Sequence, residues 1–427
     1  MDFFRYRGQE LYCEDVPVKR IAAEAGTPVY VYSAATFRGH YQKLERAFAE
    51  LNPLLCYSVK GCGNLHILRL FAGLGSGFDV VSGGELYRVL AAGGRAEQVV
   101  YAGVGKTDAE IRQALAAGIG YFNIESEAEL ENLIVLAGQE KKQVRAALRV
   151  NPDVDPKTHR HTSTGKKETK FGVDCERARG VFEQYGRNGQ VHLEGIHIHI
   201  GSPVNSTAPY VEAIRKTLAL IAELRAAGHA IRVIDIGGGF GADYTTGQAP
   251  APEEYAEAIV PLLRGTGLQV ILEPGRSISA NAGILVTRVL YNKKGGEKNF
   301  VIVDAAMSDL IRPALYEAFH FIWPAQPQKG YELENRSDTV DLSGLRKVDV
   351  VGGICESSDF LAKDRMLPPL KRGDLLAVFT AGAYGFAMSS QYNARPRAAE
   401  VMVEGGRFRV IRRRESYEDL IALERGE

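Results

Sequence analysis

The 427-residue sequence predicts a mixed fold, an α/β part built as a (β/α)8 barrel and an all-β part that follows it. Three observations carry this. From residue 54 onward, short apolar or β-branched runs alternate with amphipathic helical patterns. After Gly283 the alternation stops, and extended runs separated by turns take over. Ahead of both, Pro28-Val29-Tyr30-Val31-Tyr32 reads as a lone strand able to join the later sheet.

In chain order, strands are expected at 54–59, 78–81, 99–102, 121–124, 144–150, 195–200, 232–236 and 269–273. Helices are expected between them, for example at 64–71, 84–92, 108–117, 126–136, 210–227 and 252–263. Strands that alternate with helices pair in parallel. Eight such units in roughly 230 residues are the size of a closed, TIM-like barrel. The later strands are expected at 284–291, 300–304, 347–351, 374–379, 398–403 and 407–411, with Gly295-Gly296 and Gly405-Gly406 as hairpin breaks. The expected domains are a barrel over 34–283 and a discontinuous β-rich domain of 1–33 and 284–427.

Composition narrows the function classes. Lys plus Arg and Asp plus Glu are both 52, so no global field favours nucleic acid or an anionic membrane. No apolar run is long enough to span a bilayer, and the first residues lack the apolar core of a signal peptide. The five cysteines are scattered, odd in number and without a CxxC pair. That argues against a disulfide framework or structural zinc and for a reducing cytoplasm.

Active sites of such barrels lie at the carboxyl ends of the strands. Lys60 stands at the first of these ends, where an amine can form a Schiff base and desolvation would make it nucleophilic. Asp79, Ser82 and Glu85 lie on or after the second strand, Arg149 and Asn151 on the fifth. His199, Gly201 and Ser202 end the sixth. Gly237-Gly238-Gly239 follow the seventh, where barrel phosphate sites cluster and glycine lets backbone N–H groups close on an anion. The same glycines equally suit a tight turn needing positive φ. The spacing is not that of a dinucleotide fingerprint. Glu273, Gly275 and Arg276 end the eighth strand. A carboxylate there suits a protonated pyridine nitrogen, or a structural ion pair with an arginine. His199 can stack on a ring. His197 and His199 also form an HxH pair, a zinc cue without convincing partners on the other strands, and no metal is expected.

Lysine, phosphate loop, stacking histidine and pyridine carboxylate are together what pyridoxal phosphate requires. From about Pro28 to Val403 the chain resembles the fold type III, alanine-racemase-like decarboxylases, and within them the diaminopimelate branch. The resemblance rests on Tyr57-Ser58-Val59-Lys60, on 78–85 (FDVVSGGE), on 158–172 (THRHTSTGKKETKFG) and on His199-Ile200-Gly201-Ser202. It continues with 235–240 (DIGGGF), 273–276 (EPGR), 311–316 (IRPALY), Cys355-Glu356-Ser357 and Gly382-Ala383-Tyr384-Gly385.

The resemblance implies a pyridoxal-phosphate-dependent decarboxylation of meso-2,6-diaminopimelate to L-lysine. Lys60 and Cys355 would be catalytic, Lys60 carrying the cofactor and Cys355 returning a proton. Asp79, His199, Ser202, Gly237, Gly238, Gly239, Glu273, Gly275, Arg276 and Tyr384 would bind the cofactor. Arg276, Arg312, Tyr316, Glu356 and Tyr384 would bind the substrate, whose two carboxylates suit two arginine forks. A homodimer is implied, with Cys355 and Glu356 supplied by the partner chain. Read without the resemblance, Cys355 is as well an inert buried thiol, and Arg312 a surface partner of Asp309. Gly61-Cys62 stands where the family has Ala-Asn, and Gly352-Gly353 where it has Gly-Pro. The basic loop 159–170 would fold over the site. Sister decarboxylases of other amino acids with a distal carboxylate, such as carboxynorspermidine, are the nearest alternative. A racemase, a cofactor-binding homologue without catalysis and a metal-dependent barrel hydrolase follow.

Overall fold

The computed structural model describes residues 3–155, 169–333 and 335–426, so the expected loop 159–170 lies almost wholly outside the described residues. The chain divides into two compact units. The barrel unit holds residues 41–241 and 249–277, and the sheet unit holds 1–40, 242–248 and 278–427.

In the barrel unit eight parallel strands close on themselves. They are β1 (Leu54–Ser58), β2 (Gly77–Val80), β3 (Val99–Tyr101), β4 (Tyr121–Ile124), β5 (Val144–Asn151), β6 (Val191–His197), β7 (Val233–Asp235) and β8 (Gln269–Leu272). β8 pairs back onto β1, with Ile271 opposite Leu54 and Leu272 opposite Leu55. The helices between them are α1 (Leu65–Gly73), α2 (Gly83–Ala91), α3 (Asp108–Ala117), α4 (Glu127–Gln139), α5 (Cys175–Tyr185), α6 (Ala208–Ala226) and α7 (Pro252–Leu263). The first five begin at Asn64, Ser82, Thr107, Ser126 and Asp174, whose side chains each accept a backbone N–H of the first turn. Such caps satisfy donors that the helix itself leaves unpaired, and they fix where each loop ends.

Inside the closed sheet Cys56, Val100, Tyr121, Val233 and Ile271 pack together as an apolar layer. Side chains on a strand return to the same face every second residue. Two residues further on, therefore, the same face carries Ser58, Asn123, Asp235 and Glu273. The barrel interior thus changes from apolar to polar within one strand period, at the carboxyl ends of the strands.

In the sheet unit, seven strands run in the order Phe360–Leu367, Arg346–Val351, Lys298–Val303, Gly283–Gly295, Val29–Ser33, Ala399–Glu404, Arg407–Arg412, and Leu375–Val378 with Ile322–Pro324 branch from Gly283–Gly295. Val29–Ser33 is buried throughout and lies antiparallel to Gly283–Gly295 and parallel to Ala399–Glu404. The amino-terminal strand therefore joins the later sheet, as its sequence indicated. Phe4–Arg7, Glu10–Cys13 and Val16–Pro17 form a further small sheet. Gly296 and Gly405 have φ of 60° and 59°, as their hairpins demand.

The differences from expectation have local causes. The sixth barrel strand is Val191–His197 rather than 195–200. Ile198 N–H makes the last bond of the ladder, to the Asp235 carbonyl at 2.8 Å, and the pairing with β7 ends there. His199 is consequently a loop residue, and the HxH pair does not lie on one strand. Helix α5 fills the interval between the fifth and sixth strands, and a further helix, Ala34–Ala47, precedes the first; Gly39 and Gly180 dilute their patterns. Strand Phe360–Leu367 was missed because its register shifts against Arg346–Val351 and Asp364 takes φ of 51°, which breaks the alternation. Among the described residues, no helix is long and apolar enough to cross a membrane.

Candidate active site

Six buried polar side chains of the barrel interior, Ser58, Asp79, Asn123, His197, Asp235 and Glu273, form two neighbouring groups. Asn123 Nδ2 donates to Asp235 Oδ2 at 3.0 Å and to Glu273 Oε1 at 3.1 Å, which ties β4 to β7 and to the end of β8. Gly237 N–H donates to Asp235 Oδ1 at 2.9 Å. His197 Nε2 lies 3.6 Å from Glu273 Oε2, beyond a hydrogen bond but within strong Coulomb reach. On the β2 side Asp79 accepts from Ser58 Oγ at 2.6 Å and from Lys60 Nζ.

Burial and then the Glu273 charge push the Asp79 carboxyl up, with Lys60 opposing them. Burial also works against an ionised Glu273, but His197, Lys60 and the hydrogen bond from Asp235 outweigh it and hold its carboxyl well below the usual range. Asp235 goes the other way. Burial and the neighbouring Glu273 push it well above its ordinary value.

Lys60 sits in a single helical turn, Val59–Gly61, just past β1. Its side chain is 35% exposed and paired with a fully buried carboxylate. The sequence suggested a desolvated amine in apolar surroundings. An ion pair holds it instead, since Asp79 needs a cation to be buried at all. Glu85 sits above this pair. Its carboxylate takes the Val81 N–H at 2.8 Å, and burial pushes its pKa up to about 7.

The glycine turn after β7 is dictated by crowding and conformation together. Gly237 and Gly239 have φ of 69° and 97°. A Cβ on Gly238 would stand 2.1 Å from the Glu273 carbonyl oxygen, and one on Gly239 2.2 Å from that of Gly201. Gly238 N–H donates to His199 Nδ1 at 3.2 Å. Burial, then Arg149 and Lys60, depress His199 well below its ordinary value, so the imidazole is neutral at pH 7. Arg276 is buried, and its Nε donates to Ser202 Oγ at 3.0 Å. The turn after β1 runs alongside that after β8, with a Cβ on Gly61 only 3.8 Å from Gly275.

The remaining expected residues lie in the sheet unit. Arg312 opens the short helix Arg312–Tyr316 and is buried. Its Nε donates to His320 Nε2 at 3.3 Å, and its guanidinium stands 5.4 Å from the Tyr244 ring and 5.8 Å from that of Tyr316. It is therefore no surface residue. Cys355 is exposed rather than buried, and its N–H donates to Asn393 Oδ1 at 2.7 Å. Glu356 accepts from Ser358 Oγ and Tyr392, and these bonds hold its carboxyl below the usual range. Tyr384 is half-buried with φ of 56°. Gly352 has no room for a side chain, because a Cβ would lie 2.5 Å from Ala306 Cα.

Sequence reasoning missed Asn123 as a site residue. Its signal was available: it stands two residues after core Tyr121, where an apolar residue would continue the layer. Glu125 was also missed. It binds Arg149 Nη1 at 2.9 Å and the N–H groups of Gly103 and Gly172 at 3.1 and 3.0 Å, joining the loops at three strand ends.

Within the barrel unit the donor set suits pyridoxal phosphate. An amine is available for an aldehyde, and a buried carboxylate anion for a ring N–H. A neutral imidazole is available for a ring face, and Arg276 with Ser202 for a phosphate. Asp79 Oδ1 and both nitrogens of His197 are buried and have no hydrogen-bond partner among the described residues, so the site holds polar atoms still to be satisfied.

Residues 34–280 match the family described as pyridoxal-dependent decarboxylase, pyridoxal binding domain. A diaminopimelate decarboxylase of Vibrio cholerae is 48% identical over 426 residues, 99% of this chain and 99% of that one. The crystal structure of diaminopimelate decarboxylase from Helicobacter pylori complexed with L-lysine aligns with a TM-score of 0.89 at 40% identity, covering 95% of this chain and 99% of that one. The enzyme from M. jannaschii in co-complex with L-lysine aligns with a TM-score of 0.92 at 34% identity, covering 100% and 98%.

Proposed function

The chain belongs to the diaminopimelate decarboxylase family of pyridoxal-dependent decarboxylases, and on that premise we propose that it converts meso-2,6-diaminopimelate to L-lysine and carbon dioxide. The observation that carries the reading is the polar layer of the barrel, where Lys60 and the depressed Glu273 carboxylate share one interior. Pyridoxal phosphate bound there supplies the electron sink for the pair released when the carboxylate leaves the D-centre.

The chain's own residues do the rest. Lys60 would hold the cofactor through its amine. Asp79, already paired with Lys60, would orient that amine. Glu273 stays ionised and so holds a proton on the ring nitrogen. His199 is neutral and covers a ring face without adding charge. Ser202, Gly237, Gly238, Gly239, Gly275 and Arg276 hold the phosphate, with Tyr384. Arg312 and Tyr316, whose ring lies beside the guanidinium, bind a substrate carboxylate, and Arg276 assists. Glu356 is ionised for the distal ammonium, and Cys355 delivers the proton to Cα. Cys355 is exposed, which supports a homodimer in which a second copy supplies Cys355 and Glu356. The balanced charge and scattered cysteines support a cytoplasmic enzyme.

The test is turnover of the purified, cofactor-loaded protein on a panel: meso-diaminopimelate, carboxynorspermidine, ornithine and arginine. The expected result is the highest kcat/KM for meso-diaminopimelate, with lysine and carbon dioxide in equal amounts. Preference for another substrate, or no carbon dioxide beside an active control, overturns the reading.

A further inference from the structure

The barrel interior holds more acid than its cations can balance. Asp79, Asp235 and Glu273 are all buried. Lys60 is committed to Asp79, and Arg149 to Glu125. Beside the remaining pair, Asp235 and Glu273, stands His197, 3.6 Å from Glu273. One nitrogen of His197 and one oxygen of each carboxylate lie within 4.8 Å of one another. Two ionised carboxylates so close in a buried volume repel strongly, and a single proton between them removes the repulsion.

The surroundings say which carboxylate keeps that proton. Glu273 faces His197 and Lys60, both of which favour its anion. Asp235 faces Glu273, the amide of Asn123, the N–H of Gly237 and, below it, the Cys56 thiol. None of these is a cation. Asp235 Oδ1 is taken by Gly237 N–H, whereas Oδ2 meets Asn123 on the side of Glu273.

We propose that Asp235 is a protonated, neutral positioning residue that donates its hydrogen bond to Glu273 and, with Asn123, fixes that carboxylate as an anion. The proposal rests on the reading that Glu273 meets the cofactor's ring nitrogen. Asp235 does not touch the reacting atoms. It acts by clamping Glu273 from behind, so that the free edge of the carboxylate has one orientation.

The experiment uses the full-length protein and four variants, Asp235→Asn, Asp235→Leu, Asn123→Leu and Glu273→Gln. Infrared difference spectroscopy on hydrogen–deuterium exchange reads the proton directly. The wild type is expected to show a protonated-carboxyl band that Asp235→Asn lacks and that Glu273→Gln shifts in frequency. Cofactor affinity, read by absorbance titration, is the second measurement. Asp235→Asn keeps a donor toward Glu273 and is expected to stay within about threefold of wild type, whereas Asp235→Leu and Asn123→Leu weaken binding by about tenfold or more. If Asp235→Asn does not fold, the band and its shift in Glu273→Gln still decide the matter. A wild type without the band, a band that survives in Asp235→Asn, or an Asp235→Asn as weak as Asp235→Leu overturns the proposal. If Glu273→Gln leaves the affinity and spectrum of bound cofactor unchanged, the reading of Glu273 itself fails, and that outcome is separate from the others.

Discussion

At the scale of single residues, burial and crowding explain most of what the sequence left open. Glu85 has a pKa raised to about 7 by burial, against an ordinary value of 4.5. The folded state therefore keeps a proton that the unfolded chain gives up between those values, and stability is lost as pH rises through that window. Glu85→Gln cannot ionise, so its stability relative to wild type should grow by about 3 kcal/mol between pH 4.5 and pH 8. Urea melts at both pH values check this, and an equal difference at the two would refute it. Gly61, the departure beside Lys60, is not constrained as Gly239 is. A Cβ on Gly61 meets nothing closer than 3.8 Å, and its φ is not positive, whereas Gly239 has φ of 97° and a carbonyl 2.2 Å away. Gly61→Ala should fold normally and gain about 0.5 kcal/mol. Gly239→Ala should lose about 3 kcal/mol or displace the turn and abolish cofactor binding. Thermal melts and absorbance titration distinguish them. Lys60, Glu273 and Arg276 were legible because each stands at the end of an apolar run. Asn123 was not, because a polar residue inside a strand reads as a defect until its neighbours across the barrel are known.

At the scale of elements, the amino-terminal strand has the largest leverage. Val29–Ser33 is fully buried between two other strands of the sheet unit. Removing residues 1–33 would leave the N–H and C=O groups facing it on Gly283–Gly295 and Ala399–Glu404 without partners. The truncated chain should be insoluble or lose its cooperative unfolding transition, which expression and circular dichroism check; a soluble, cooperative product would show that the strand is dispensable. The alternation that placed the eight barrel strands was strong because each is largely apolar and the first five are followed by helices that begin at a capping side chain. Gly39 and Gly180 dilute the helical pattern of Ala34–Ala47 and α5, so their bounds were not legible. Phe360–Leu367 escaped because a register shift hides its period.

At the scale of the whole molecule, the two units are not consecutive pieces of chain. Residues 242–248 belong to the sheet unit although barrel residues precede and follow them. There the Asp243 carbonyl accepts from Asn281 Nδ2 at 2.6 Å and from Thr380 Oγ1 at 3.1 Å. A chain ending at residue 277 keeps the barrel strands but strands that segment. It should be cut first at 242–248 in limited proteolysis, while the full chain resists there. Equal resistance would mean that the segment needs none of those bonds.

The sequence by itself determined the barrel, the later sheet and the family, because strand period, turn glycines and ordered motifs are local properties of the chain. Only the tertiary structure decided the state of the chemistry. It put Asp79 on Lys60, turned His199 out of its strand and made it neutral, and set Asp235 against Glu273. The physical reason is that charge and protonation in a buried volume depend on every group across the barrel. Residues 123, 197, 235 and 273 become neighbours only when the sheet closes.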